Sequence, residues 1–133
     1  MKVSKLYIIA LLSLSFKVSA SDEMLLVGKY EYRTDPESLE YIGSQVCFFP
    51  DNETAKQIKR ENRSNRMVWF CFVPNNEAKI ALKVPIKENN NCGYTGKASV
   101  VVTNYKDLGG FQADTAELRR VVSLGSPTEI TCK

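Results

Sequence analysis

The sequence contains no histidine. Histidine is the side chain that titrates near neutral pH and the commonest metal ligand, so its absence excludes a Ser–His or Cys–His catalytic pair and a histidine metal site. The four cysteines include no CxxC pair and are too widely spaced for a zinc site built from close pairs. We therefore expect neither a metal nor any other cofactor.

The chain also lacks a clear excess of positive charge. It has 18 basic and 15 acidic side chains, and Lys2, Lys5 and Lys17 lie within the first twenty residues, where no acidic residue occurs. The rest of the chain carries equal numbers of both signs. Proteins that bind nucleic acid need clustered cations to contact the phosphates, so this balance argues against a nucleic-acid partner.

One long apolar run occurs, at the amino terminus. Leu6 to Phe16 follows two lysines and precedes Val18 to Ala20, where the residues suit signal-peptidase cleavage. The alternative is a membrane anchor, but a helix of this length rises only about 16 Å, well short of a ~30 Å hydrocarbon core. We predict a signal peptide over residues 1–20, removed to leave a single exported domain over 21–133, periplasmic or secreted, without a membrane-spanning segment.

Export accounts for the cysteines. Cys47, Cys71, Cys92 and Cys132 form an even set in a small chain, and an oxidising compartment favours two disulfides over free thiols. Four cysteines allow three pairings. We predict Cys47 with Cys71 and Cys92 with Cys132, because the first two lie in strand-like runs that can be neighbours. Each bridge would stabilise the domain by about 3 to 4 kcal/mol in the chain-entropy account.

Alternating and β-favouring runs dominate the mature chain. They predict strands, separated by a turn-rich segment at Thr34 to Ser38 and by glycine and asparagine loops further on. The apolar third run predicts a central buried strand, with Trp69 in the core. The predicted strands are Leu25 to Arg33, Tyr41 to Phe49, Met67 to Val73, Tyr94 to Tyr105 and Leu118 to Leu124.

Helical segments are short and partly ambiguous. Asp51 to Arg66 contains helix formers behind a capping residue but few apolar side chains, which predicts a short surface helix. Asn76 to Leu82 fits both a capped helix and an alternating strand, and we favour the helix. Thr115 to Val122 alternates like a strand, while Asp114 and Glu117 mimic a capping box, so both structures stay open there.

The order of these elements resembles that of the five-stranded oligonucleotide/oligosaccharide-binding (OB) barrel over most of the mature chain. In that family a short helix commonly lies between the third and fourth strands, which is where Asn76 to Leu82 falls. We therefore predict a mainly β domain, either a small five-stranded OB-like barrel or a bent antiparallel sheet, stapled by disulfides. Small exported barrels of this kind include the carbohydrate-binding subunits of bacterial toxins, but no motif assigns site residues by that resemblance.

Two surfaces are candidates for binding. Arg60, Arg63 and Arg66 belong to a locally cationic segment that predicts a ridge for an anionic partner, although such a segment also serves as a solvated connector. Tyr30 and Tyr32 share one face in the strand pattern, where aromatic rings stack on sugars. The alternative is that both tyrosines fill the barrel.

No catalytic constellation stands out, which favours a binding function. An enzyme that uses only Asp/Glu and Arg/Lys, such as a small glycosidase, stays compatible with the composition, but no carboxylate pair marks it. We expect a non-enzymatic exported binding module that recognises another protein, as an inhibitor, immunity factor or envelope interaction factor. The alternatives are a glycan or lipid-headgroup binder of toxin B-subunit type, and a structural subunit of an envelope assembly.

Overall fold

The computed structural model describes residues 22–60, 67–86 and 90–133. The predicted signal peptide lies outside these residues. Within the described ranges, no helix is both long and apolar enough to cross a membrane. The elements are β1 (Met24–Arg33), α1 (Pro36–Ile42), β2 (Val46–Pro50), α2 (Asn52–Ala55), β3 (Phe70–Phe72), α3 (Asn75–Ala81), β4 (Gly93–Lys106), β5 (Asp114–Leu124) and β6 (Thr128–Glu129).

The strands form a closed barrel. β1 pairs antiparallel with both β2 and β4, β2 continues antiparallel to β3, and β5 pairs antiparallel with β4. β3 and β5 run parallel, so the order β1-β2-β3-β5-β4 returns to β1. The sheet is therefore mixed, and the OB-like barrel is confirmed over the bent antiparallel sheet. The short β6 adds a sixth strand, paired with β4 at Tyr94 and Thr95.

Aromatic and aliphatic side chains from alternate strand positions fill the interior. Phe70 lies at its centre, with ring centroids 5.8 Å from Phe48, 5.4 Å from Phe72 and 5.5 Å from Tyr105. Gly96 leaves room for the Tyr30 ring, because a Cβ atom there would lie 2.7 Å from Tyr30 Cε1. Other fully buried side chains of the core include Leu26, Val46, Leu82, Val100 and Val102.

Both ambiguous segments are now resolved. The predicted helix is confirmed as α3, which ends at Ala81 with Leu82 as its C-cap, and Ala78 and Leu82 are buried in the core. Asn75 fixes the start of this helix, since its Oδ1 accepts from Val46 N at 2.7 Å and its Nδ2 donates to Ser44 O at 3.0 Å. The second segment is the strand β5, because its backbone pairs with both β3 and β4.

The segment between β1 and β2 corrects two predictions. The predicted turn at Thr34 to Ser38 and the start of the predicted strand at Tyr41 both lie in or beside helix α1. Asp35 caps this helix by accepting from Ser38 N at 3.1 Å, and a proline at its first turn suits the helical φ angle. Gly43, with φ of 65°, ends the helix, so β2 begins only at Val46.

Two further elements are shorter than predicted. The strand predicted over Met67 to Val73 is regular only at Phe70–Phe72, where it pairs with β2 and β5. Within residues 51–60, the described part of the predicted surface helix, the α-helix is the single turn α2, which Asp51 caps by accepting from Thr54 N at 2.8 Å. Residues 61–66 of that prediction lie outside the described residues.

Both predicted disulfides are present. Cys47 and Cys71 occupy directly paired positions of β2 and β3. Cys92 and Cys132 connect the residue before β4 to the carboxyl-terminal tail. The first bridge therefore links two neighbouring strands, and the second holds the tail and β6 beside β4.

A groove on the outer face of β2 and β3

A row of side chains crosses the outside of the barrel from β1 to β3. Phe48 and Phe70 point inward, so their neighbours Phe49 and Trp69 point outward. The two outward rings stack, with centroids 5.7 Å apart and planes inclined by 12°. Lys29 is paired with Phe49 across β1 and β2, and its Nζ lies 5.8 Å from the Phe49 centroid. A cation and two stacked rings thus form one continuous row.

Helix α1 and the loop between β4 and β5 form the walls of a groove over this row. They touch at the rim, where the Tyr41 hydroxyl donates to Phe111 O at 3.1 Å. Two neighbouring cavities of about 280 and 380 Å³ share Tyr41 and Trp69 in their linings.

A buried charged cluster lies at the base of the smaller cavity. Arg60 Nε lies 3.3 Å from Asp114 Oδ2, and the Tyr105 hydroxyl donates to the same carboxylate oxygen at 2.5 Å. Burial, with the adjacent Asp114 carboxylate as a further cause, raises the pKa of Tyr105 far above its ordinary value. The hydroxyl therefore stays protonated and serves as a fixed donor. This cluster joins the segment after α2 to β4 and to the start of β5.

Paired charges also line the larger cavity. Glu31 lies 3.1 Å from Arg33 Nε and 3.5 Å from Lys29 Nζ. Hydrogen bonds from the Ser38 side chain and backbone lower the pKa of Asp35, so this cap of α1 is ionised at neutral pH. The Asp35 contacts fix the entry to α1, and the ion pairs of Glu31 orient the charged side chains of β1.

Apolar side chains project from the rim of the groove. Tyr41 is 62 % exposed, Met67 is 71 % exposed, and Phe111 is 89 % exposed. Tyr41 and Met67 line the smaller cavity, and Phe111 is joined to Tyr41 by the hydrogen bond across the rim. Together with Trp69 they form the groove cluster: Tyr41, Met67, Trp69 and Phe111.

The residues predicted for the cationic ridge are only partly described. Arg60 lies in the groove, where 18 % of its side chain is exposed and the guanidinium contacts buried Asp114. It therefore acts first as an internal ion-pair partner rather than as part of an open ridge. Arg63 and Arg66 lie outside the described residues.

The two tyrosines predicted as a stacking platform do not form one. Tyr30 is fully buried in the barrel, where burial raises the pKa of its hydroxyl, so its ring cannot reach a ligand. Tyr32 packs against the core, and Lys79 Nζ lies 4.4 Å above its ring. Both point inward because side chains alternate along β1. The alternation in the sequence showed that the two tyrosines share a face, but it did not show whether that face is the inside or the outside of the barrel.

The groove cluster was not predicted from the sequence. Trp69 was expected in the core because the run around it is apolar throughout, but alternation about inward Phe70 turns it outward. The outward position of Trp69 could have been predicted by assuming that side chains alternate inward and outward within the apolar run as well. No local signal places Phe111 or Met67, because their neighbours come from distant parts of the chain.

Within residues 22–60, 67–86 and 90–133, no group of three or more Cys, Asp or Glu side chains is arranged to hold a metal ion. No protein-family model, curated protein or solved structure matches the sequence. The assignment of the groove therefore depends on the geometry and chemistry of its own residues.

Proposed function

We propose that this chain is a non-enzymatic exported binding module that docks another protein in the groove over β2 and β3. The observation that carries the proposal is the groove cluster around Arg60. Aromatic residues, methionine and arginine are enriched at the cores of protein–protein interfaces, and tryptophan, tyrosine and arginine dominate their binding energy. Here these residue types converge on one concave face.

The charged side chains of the groove support binding rather than catalysis. Glu31 is held by Lys29 and Arg33, and Asp114 is held by Arg60 and the Tyr105 hydroxyl. Such contacts orient the walls of the groove and give both carboxylates partners within the chain, as expected for groups that hold a binding surface in place.

Export is part of the proposal. Two disulfides close the domain, and an apolar run with signal-peptide features precedes it. A stapled barrel keeps the walls of the groove in place, which reduces the ordering cost of binding. This combination suits an inhibitor, an immunity factor or an envelope interaction factor.

The proposal is tested by affinity capture with matched variants. A tagged chain bearing Met67→Ala and Phe111→Ala removes exposed apolar groups from the groove. Ile80→Ala with Ile86→Ala is the control, since these residues are 78 % and 92 % exposed and do not line either groove cavity. From the exported fraction of the producing cells, the unmodified chain and the control should retain the same protein, and the groove variant should lose it.

Equal capture by both variants would contradict the proposed site. Loss of capture only in the control would place the interface elsewhere on the barrel. A glycan array separates the alternative occupant: concentration-dependent binding of a glycan that Met67→Ala and Phe111→Ala abolish, without any protein captured, would assign the groove to carbohydrate recognition instead.

A further inference from the structure

We infer that a cavity on the outer face of β1 and β4 binds a tetrahedral oxyanion, sulfate or phosphate, either free or as an ester on a small molecule. This inference goes beyond the proposed function, because β1 separates the cavity from the groove over β2 and β3. The volume is about 380 Å³, within the roughly 300 to 1,000 Å³ of common small-molecule sites. We call it the lysine cavity, since its lining includes Lys29 and Lys97.

The two lysines face each other across neighbouring strands. Lys29 of β1 is directly paired with Lys97 of β4, and both side chains are exposed. They point outward, because the next pair, Tyr30 with Gly96, faces the barrel interior. Like charges directly opposite each other destabilise a pair of strands. An anion bound between the two ammonium groups would remove that cost.

One carboxylate lies near this pair, at the Lys29 end. Glu31 Oε1 lies 3.5 Å from Lys29 Nζ, while its Oε2 accepts from Arg33 Nε at 3.1 Å. Glu31 is not among the residues that line the lysine cavity. The ion pairs found within residues 22–60, 67–86 and 90–133 do not include Lys97. The ammonium of Lys97 therefore supplies the main charge for a ligand, and Lys29 assists it.

The segment between β5 and β6 adds hydroxyl groups on another side of the cavity. Ser126 and Thr128 belong to the lining. Gly125 N donates to Lys97 O at 2.8 Å, which holds the start of the segment against β4. At its other end β6 pairs with β4, and the second disulfide holds the tail there. The backbone that carries both hydroxyls is thus fixed before a ligand binds, which lowers the ordering cost.

This set of groups suits a tetrahedral oxyanion. An ammonium binds phosphate or sulfate as a point charge, and hydroxyl groups donate hydrogen bonds to the oxygens. The ammonium groups come from the strands, and the Ser126 and Thr128 hydroxyls come from the segment after β5. Thr95 is not a further donor, because its Oγ1 already donates to Tyr30 O at 2.8 Å. Donors on two sides match a group that carries oxygens in all directions better than a planar carboxylate.

Amide chemical shifts measure the binding directly. The isotope-labelled exported chain is titrated with sodium sulfate at pH 7, while sodium chloride keeps the ionic strength constant. The amides of Gly125, Ser126 and Thr128 should shift along a saturable curve, and sodium acetate should shift them several-fold less. Sulfate shifts that grow linearly across the whole surface would overturn the inference, and so would an acetate response equal to that of sulfate.

A charge variant separates binding from folding. Lys97→Gln removes one of the opposed charges, so the melting temperature of the free chain should rise by about 1 to 4 °C. The same change should weaken sulfate about five-fold. A more stable chain with a weaker site cannot result from unfolding. Equal sulfate binding by Lys97→Gln and the unmodified chain would overturn the inference.

Lys56→Gln is the matched control. This exposed lysine pairs with Glu53 outside the lining of the lysine cavity, and its replacement removes the same charge from the chain. It should leave the sulfate curve unchanged. A loss of sulfate binding equal to that of Lys97→Gln would show that only the net charge of the protein matters, and it would overturn the site.

A sugar ester distinguishes the two sources of the oxyanion. Binding of glucose 6-sulfate several-fold more tightly than inorganic sulfate would support an ester ligand, and equal affinities would support the free ion. Unmodified glucose that binds as tightly as its sulfate would overturn the inference. Met67→Ala with Phe111→Ala should keep sulfate binding, so failure of the protein-docking groove and failure of the lysine cavity are distinguishable.

Discussion

Replacement of Tyr105 by phenylalanine tests the buried cluster beneath the groove. The ring would keep its edge-to-face contact with Phe70, with centroids 5.5 Å apart. Only the hydroxyl that donates to the Asp114 carboxylate would be lost. A hydrogen bond to a charged group contributes about 1.5 to 3 kcal/mol, so we expect a loss near 2 kcal/mol at neutral pH. For a domain of this size, that corresponds to a fall of roughly 8 °C in melting temperature.

The effect should depend on pH with a defined sign. The pKa of Tyr105 is raised in the folded state above the ordinary 10.0, so the neutral phenol favours folding. Its stabilisation is fully present below pH 10 and is lost progressively as the pH rises above that value. The phenylalanine variant has no phenol at this position, so its stability has no such dependence on pH. The difference in unfolding free energy between the two proteins should therefore narrow above pH 10.

The assay is urea unfolding at pH 8 and pH 11, followed by Trp69 fluorescence, with disulfides intact. Tyr41→Phe is the control, because its exposed hydroxyl donates to the Phe111 backbone rather than to a charged group, and its loss should change stability by less than about 1 kcal/mol. If Tyr105→Phe unfolds at the same urea concentration as the unmodified chain at pH 8, the hydroxyl does not support the carboxylate. A difference that stays constant up to pH 11 would contradict the pH argument.

Three further predictions concern other parts of the fold. Cys92→Ala with Cys132→Ala opens a covalent loop with a sequence separation of 40 and should lower the free energy of unfolding by about 4 kcal/mol, measured by urea unfolding. An unchanged free energy of unfolding would mean that this bridge does not restrict the conformations of the unfolded chain. Asp35→Ala should lower the melting temperature at pH 7 but not at pH 2. The pKa of Asp35 is lowered in the folded state, so its stabilisation is present above the ordinary pKa of 3.8 and is lost in acid. Equal melting temperatures of the variant and the unmodified chain at pH 7 would show that the Asp35 cap does not stabilise the fold. Gly96→Ala should destabilise the barrel by about 1 to 3 kcal/mol, because the added methyl meets the Tyr30 ring; circular dichroism melting at the unmodified temperature would refute that packing.

Local patterning made the outline of the barrel predictable from the sequence. Period-two alternation marks β1 and β4, and the oxidising compartment expected for an exported chain made two disulfides the natural outcome. Adjacent strand-like runs were enough to pair Cys47 with Cys71. Helix α1 was missed because Asp35 and the proline after it serve as turn residues and as a helix start equally well.

The groove was not predictable, because its parts meet only in the closed barrel. Arg60 and Asp114 are far apart in the chain, and their ion pair forms only once the barrel has closed. The sequence therefore showed that Arg60 is a cation in a polar segment, but it did not show that Asp114 is its buried partner. The outward position of Trp69 follows from the register of β3, which an apolar run without polar residues does not reveal.

The most direct test of the groove as a protein-docking site is crosslinking from its rim. A photoreactive phenylalanine at position 111 would lie beside Tyr41, and the same group at position 80 would lie on α3 as the control. Irradiation of producing cells should yield one discrete crosslinked protein from position 111 and none from position 80. A crosslink from position 80 with none from position 111 would contradict the account.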